Sequence, residues 1–428
     1  MDNGSTRSDM RERVLGRGSA LVKKESLVPL SLLLFYLVLE YARPQELLPF
    51  LRVLRLPAII SLALAIYLIN SKKIQLKEKQ TTPFLFLLGL MVIHGPIATN
   101  NYWALMWFLI MAGNFIIFHA MIRYVDTPDK YNKLLKYWMA IHVFLAISGI
   151  MNQGRGMGGF LADENDFCMT MNMIIPFSFF FAMNASGKKK YFYIILSGVF
   201  LSAIILSKSR GGFVGLLAAF TYCWLRTKRK VLMALIIGLL AVFAVIIAPS
   251  TYWDRIHSIT QEGAEKGTGE ERLYTWKIGW HMFLGNPIIG VGQGNFPYVF
   301  KKYEFLVTGS DDPFYGRSVA GREAHSIYIT MLSELGIIGT CIFIGMIINM
   351  FKDLKRIRGR SFYRKNNVSP PVFNNNYFFA LALEGALIAF LVSGAFISVL
   401  YYPNLWVLMG FIVSLRRIVD LDSKPVTA

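Results

Sequence analysis

GREAHSIYITMLSELGIIGTCIFIGMIINM, residues 321–350, sets an arginine, a glutamate and a histidine at the mouth of a long apolar run, with a second glutamate, Glu334, inside it. From Ala324 to Met350 that run carries no other acidic or basic charge. It is long enough to cross a bilayer core as a helix, which takes about 20 residues. Ionisable groups are costly in lipid, so those at the mouth and inside call for a partner or a role.

The same pattern recurs along the chain. Hydrophobic residues make up 54% of its 428 residues and charged ones 17%. They segregate into nearly uncharged blocks of about 15–25 residues, the length of membrane-spanning helices. Twelve spans are expected, over 27–42, 56–70, 83–98, 103–121, 137–152, 167–186, 191–207, 209–225, 231–249, 324–350, 376–400 and 403–418. The fold class is therefore an all-α, polytopic integral membrane protein. Glu40 and Arg43 follow the first span where a cleavage site of small residues would stand, so that span reads as a helix and not a signal peptide. The chain divides into 1–249 (helices one to nine), 250–323 (one large loop) and 324–428 (helices ten to twelve and a tail).

Basic residues orient the bundle. Of the 45 Lys and Arg, most fall in the N-terminal tail, in 72–79, 123–136, 188–190, 226–230 and 352–365, and in the C-terminal tail. The positive-inside rule places these segments and both termini in the cytoplasm. The net charge of +19 is thus a topology signal and not the footprint of a nucleic-acid binder. Cys168, Cys223 and Cys341 all fall within expected spans, as small apolar residues do, and form no disulfide or zinc pattern.

Residues 250–323 face outward and hold eight basic and nine acidic residues. Within them, ERLYTWKIGWHMFLGNP (271–287) spaces Leu273, Trp276, Trp280 and Phe283 along one helical face. This predicts an amphipathic helix over 270–285 at the membrane surface, ended by Pro287 and by the turn residues of GVGQGNFP (290–297). That glycine-rich run follows no strand, so it does not read as a dinucleotide fingerprint.

Three outward positions carry unusual charge. SKSRGG (207–212) puts Lys208 and Arg210 in a tight turn between two apolar runs. They are either a snorkelling pair or, with two serines and a helix N-terminus, an anion site. Arg272 opens the amphipathic helix, where a solvated face is the alternative. Arg322 and His325 share a face with Tyr328 if their helix begins by residue 322. On the same assumption Glu334 points the opposite way, as a buried tie to another helix. Glu384, inside the 376–400 span, has no assigned role. Asp311–Asp312 and Asp163–Asp166 are acidic pairs suited to a metal, which is the competing way to stabilise a phosphate.

The SKSRGG turn, then R-L-x-x-W followed by GNPIIGVGQGNF, then AHSIYITMLSELGIIG, resembles the motif order of the O-antigen ligase family. That family includes O-antigen ligases and polymerases and some bacterial protein O-oligosaccharyltransferases. YARPQELLPFLRVLRLP and LADENDFCMTMN are similar to a subgroup of O-glycosylation ligases. The resemblance implies a bacterial inner-membrane protein with the large loop, its amphipathic helices and the active site in the periplasm. It implies transfer of a glycan from undecaprenyl diphosphate to an acceptor hydroxyl, here expected on lipid A-core oligosaccharide. Polymerisation of the glycan or transfer to a protein are the alternatives, and a lipid-linked sugar transporter a more distant one. It also implies an inverting reaction with His325 as base and with Arg210 and Arg272 stabilising the diphosphate. Lys208, Arg322, Gln293 and Tyr328 are the expected substrate contacts. No metal or other cofactor is expected.

Overall fold

In a computed structural model the described residues are 28–71, 76–227, 268–308, 321–365 and 372–422, with Lys230, Val231 and Gly238 besides. All regular structure among them is helical. The principal helices are α1 (Val28–Leu37), α2 (Leu56–Asn70), α3 (Thr81–Ile97), α4 (Asn101–Tyr124), α5 (Pro128–Met151), α6 (Glu164–Asn184), α7 (Gly187–Leu206) and α8 (Arg210–Arg226). They continue with α9 (Thr268–Gly285), α10 (Phe296–Thr308), α11 (Ile327–Lys365), α12 (Val372–Ser393) and α13 (Pro403–Asp422).

Helices thus stand at the expected spans, except that 231–249 lies almost wholly outside the described residues, as do the loop positions Asp311 and Asp312. By length and composition, seven helical segments among the described residues can cross a membrane: Phe50–Asn70, Asn101–Tyr124, Pro128–Met151, Glu164–Asn184, Gly187–Leu206, Ile327–Ser361 and Asn375–Phe396. Val28–Ala42 and Thr81–Ile97 are apolar but shorter.

Side chains set where helices begin. Asn100 accepts from the Trp103 amide at 3.2 Å and Thr127 from that of Lys130 at 3.3 Å, satisfying amides that the helix itself leaves unpaired. The centre of the bundle is α6, packed by α7, α8 and α12. Small residues let these helices approach closely: a Cβ on Gly215 would fall 1.9 Å from Ser393 Oγ, and one on Gly385 2.7 Å from Pro176.

The long helix α11 is broken at Gly336, whose φ of 60° and ψ of −163° leave the helical region. A break at membrane depth must have its freed backbone groups paired by protein. The segment Pro287–Gly292 supplies those partners. Val291 and Gly292 amides donate to the Ser333 and Glu334 carbonyls at 2.9 and 3.0 Å. In return the Ile337 and Ile338 amides donate to the Pro287 and Ile288 carbonyls at 2.9 and 3.2 Å. The glycine-rich run is thus a splice into the broken helix. Gly290, at φ 79°, passes so near that a Cβ would meet the Glu334 carbonyl carbon at 2.4 Å.

Glu334 completes the joint. Its carboxylate accepts from the amides of Gly294 (2.8 Å) and Phe296 (3.0 Å) and from the Tyr401 hydroxyl (2.7 Å), and the residue is 2% exposed. It is the buried tie expected of it, for a different reason. Helix α11 begins at Ile327, so Arg322 and His325 precede it in a turn where His325 has φ 47°. The helical phase linking them to Glu334 does not exist. Glu384 is likewise paired, with Arg226 (3.1 Å), Arg358 and the Tyr222 hydroxyl (2.8 Å). Cys168 and Cys223 are buried and Cys341 is exposed, and all three are free thiols.

Candidate functional site

The expected amphipathic helix is α9, but two of its faces are used. Ile278 and Met282 pack with Phe296, Val299, Phe300 and Tyr303 of α10 in a small separate core. The Leu273–Trp280–Leu284 side stays exposed, a surface suited to the membrane interface. Helix α10 itself was not expected, although Phe296, Val299, Phe300 and Tyr303 recur at helical spacing. Trp276 ties α9 to the mouth of α11, donating from Nε1 to the Ala324 carbonyl at 2.9 Å.

That tie brings distant charges together. Arg272, on the first turns of α9, lies within electrostatic reach of Arg210 and Asp163. His325 lies within reach of Arg272, Asp163 and Arg322. Four segments of the chain therefore converge at one end of the bundle.

Each is held by local structure. Ser209 caps α8, accepting from the Gly212 amide at 2.9 Å and donating to Asn165 Oδ1 at 2.7 Å. Asp163 caps α6, accepting from the Asn165 amide at 2.8 Å and the Asp166 amide at 3.4 Å. Asn165 thus joins the Asp163 cap to the turn that carries Arg210. Arg322 pairs with Glu271, next to Arg272.

The electrostatics suit an anion. Burial, and then the Arg210 charge, hold the Arg272 pKa below the ordinary arginine range, against the pull of Asp163. Arginine stays protonated nonetheless, so the shift records chiefly the burial of its charge, with Arg210 a lesser contribution. Burial, then Arg272, and less strongly Arg322, lower the pKa of His325 below its ordinary 6.5, with Asp163 opposing. The imidazole is therefore neutral at pH 7 and able to accept a proton.

Two other expected site residues use polar groups inside the fold. Gln293 is fully buried, with Oε1 2.6 Å from His94 Nδ1 and Nε2 donating to the Met91 and Ala104 carbonyls at 2.9 Å each. Its side chain is spent on joining the splice to α3 and α4. The Tyr328 hydroxyl donates to the Leu391 carbonyl at 2.8 Å, toward α12. Lys208 stands in the left-handed turn before Ser209, at φ 54°.

On the acidic side of the site, Glu323 and Tyr402 have no role assigned from the sequence. Glu323 is hydrogen-bonded to Ser398 and feels Asp163, and its pKa is raised chiefly by burial. Tyr402 is hydrogen-bonded to Asp166. Among the described residues no three His, Cys, Asp or Glu side chains are grouped to hold a metal ion. A cavity of about 190 Å³ opens beside Glu323, lined also by Trp103, Trp107, Tyr298, Ser398 and Tyr401.

A multi-pass helical membrane protein with two arginines and a histidine gathered at one end is the class that fold and site define. Residues 192–344 match the family model described as O-antigen ligase. That match holds Arg210, Arg272, Gln293, Arg322, His325, Tyr328 and Glu334, while Asp163, Ser398 and Tyr402 lie outside it. The teichuronic acid biosynthesis protein TuaE of Bacillus subtilis (strain 168) is 23% identical over 343 residues, covering 72% of this chain and 64% of its own length. The chain thus spans less than two thirds of that relative.

Proposed function

We propose that the protein transfers a glycan from undecaprenyl diphosphate to an acceptor hydroxyl at the periplasmic face of the bacterial inner membrane. Both termini are cytoplasmic in this reading and the chain crosses the bilayer about twelve times. The convergence of Arg210, Arg272 and His325 from three distant segments carries the reading. Teichuronic acid biosynthesis by the relative TuaE favours a saccharide acceptor, lipid A-core oligosaccharide or a growing glycan, over a protein side chain.

In the reaction the acceptor oxygen attacks the anomeric carbon from the face opposite the diphosphate. The new carbon–oxygen bond forms as the bond to phosphate breaks, and the configuration inverts. The departing diphosphate takes the electron pair, and its growing charge is met by Arg210 and Arg272. A well-placed fixed donor contributes roughly 2–4 kcal/mol to such a transition state. Planar guanidinium groups suit phosphate because they bond it in pairs. The hydroxyl proton passes to neutral His325, and general-base catalysis of this kind gives about 10²–10⁴-fold. No metal enters this account, because the arginines supply the positive charge.

The test is purified protein incubated with undecaprenyl diphosphate glycan and, separately, lipid A-core, a second lipid-linked glycan, and a peptide, in excess chelator. Extension of a saccharide acceptor is the expected result. Movement of intact donor across a bilayer with no transfer would make the protein a transporter instead. Activity lost to chelator and restored by Mg²⁺ would assign the charge stabilisation to a metal.

A further inference from the structure

The 190 Å³ cavity beside Glu323 has walls unlike those of an apolar packing defect. Trp107 forms one side, its ring centroid 5.1 Å from that of Tyr401 and 6.4 Å from that of Tyr402. The indole reaches this place because position 294 has no side chain: a Cβ on Gly294 would fall 2.0 Å from Trp107 Cδ1. Trp103 and Tyr298 stand at the rim, both partly exposed. Polar groups converge from other elements: the Glu323 carboxylate, the Ser398 hydroxyl and the Thr330 hydroxyl, the last two 3.3 Å apart. Glu334 and Tyr401, already bonded to each other, form the floor.

Flat aromatic faces beside a few fixed hydrogen-bonding groups match a pyranose ring, which offers apolar C–H faces and a rim of hydroxyls. A phosphate does not fit, because the charged groups in the lining are carboxylates. An acyl chain does not fit either, because it would set the Glu323 carboxylate and two hydroxyls against hydrocarbon with only one another as partners. Glu323 belongs to this lining and also lies within reach of Asp163, the residue that faces His325 and Arg272. The cavity therefore opens next to the cationic cluster, on its acidic side.

We propose that this cavity is a subsite for one sugar ring, stacked on Trp107 and Trp103 and hydrogen-bonded by Glu323 and Ser398. The proposal rests on the transfer reading above for which ring it is, the donor's first sugar or the acceptor's terminal one. It does not rest on that reading for the binding of a sugar.

Two experiments test it. Saturation-transfer NMR of methyl pyranosides with full-length protein in detergent reads ring-proton contact without any reaction. Wild type should show it, Trp107→Ala and Trp103→Ala should lose most of it, and Trp224→Ala, remote from the cavity, should keep it. Trp103 is at the rim, so its variant keeps the test valid if Trp107→Ala fails to fold. No contact in wild type, or equal contact in Trp103→Ala, overturns the proposal. In the transfer assay, Glu323→Gln and Trp103→Ala should raise one KM at least tenfold. A raised acceptor KM assigns the ring to the acceptor, a raised donor KM to the donor, and unchanged values for both overturn the subsite. Sugar contact in a protein that transfers nothing would leave the subsite standing and remove the transferase reading.

Discussion

Replacement of Glu334 tests the joint on which the site is built. Its Oε2 accepts from the Gly294 amide and the Tyr401 hydroxyl, and its Oε1 from the Phe296 amide. Glu334→Gln keeps one acceptor oxygen and turns an NH₂ toward a remaining donor. One buried donor left unsatisfied costs about 1–3 kcal/mol, and loss of the charge weakens the other two bonds, for a total of about 2–4 kcal/mol. Glu334→Ala strands all three donors, and water entering the gap offsets part of that, so about 3–6 kcal/mol is expected. Each kcal/mol lowers the melting temperature of a large fold by about 2 °C. Thermal unfolding in detergent, followed by tryptophan fluorescence, should fall by about 4–8 °C for Gln and by about 6–12 °C for Ala. The same variants should lose transfer, because Gly294 positions Trp107 and the splice holds α11 in register. An alanine variant melting within about 2 °C of wild type would refute the account of the joint.

Arg322→Ala should move the acidic limb of the transfer rate to higher pH. The base works when neutral, so its limb lies at its pKa, and Arg322 is one of the charges holding that pKa below 6.5; an unmoved limb in a pH–rate profile would count against His325 as the titrating group. Arg416 is nearly buried and reaches Glu78 (2.6 Å), Asp353 (3.3 Å) and Asp420 (3.5 Å) at the opposite end of the bundle. Arg416→Met should cost about 3–5 kcal/mol by leaving carboxylates unpaired, lowering the melting temperature while the rate per folded molecule stays unchanged. Gly290→Ala should prevent the splice from closing, because a side chain there strains a φ of 79° and strikes the Glu334 backbone. Size-exclusion chromatography should show aggregated or absent protein.

The long apolar helices were legible because apolar length is a local property of the chain, and so were α9 and the pairing of Glu334, while α10 was not. The convergence of Arg210, Arg272 and His325 was legible only through motif resemblance, since no spacing rule joins residues so far apart in sequence. What the sequence concealed depends on a backbone break. With α11 read as one regular helix from residue 322, His325 received a helical phase it does not have. Nothing then suggested that GVGQGNF would pair with a gap at Gly336, so Gln293 looked available to substrate when its polar groups are taken up by His94, Met91 and Ala104. Asp163 reads from the sequence as half of an acidic pair, yet its nearness to His325 and Arg272 is a tertiary contact that no local pattern announces. Nothing in the sequence sets Trp103 and Trp107 apart; the missing side chain at Gly294 is what lets the Trp107 indole reach the cavity.

The division of labour at the cationic end is most directly tested by measuring donor binding and transfer separately on two variants. His325→Ala should bind undecaprenyl diphosphate glycan within about threefold of wild type and transfer it at least 10²-fold more slowly, the lower bound of general-base catalysis. Arg272→Ala should lose at least tenfold in donor affinity as well as rate. Normal transfer by His325→Ala, or full donor affinity in Arg272→Ala, would contradict the account.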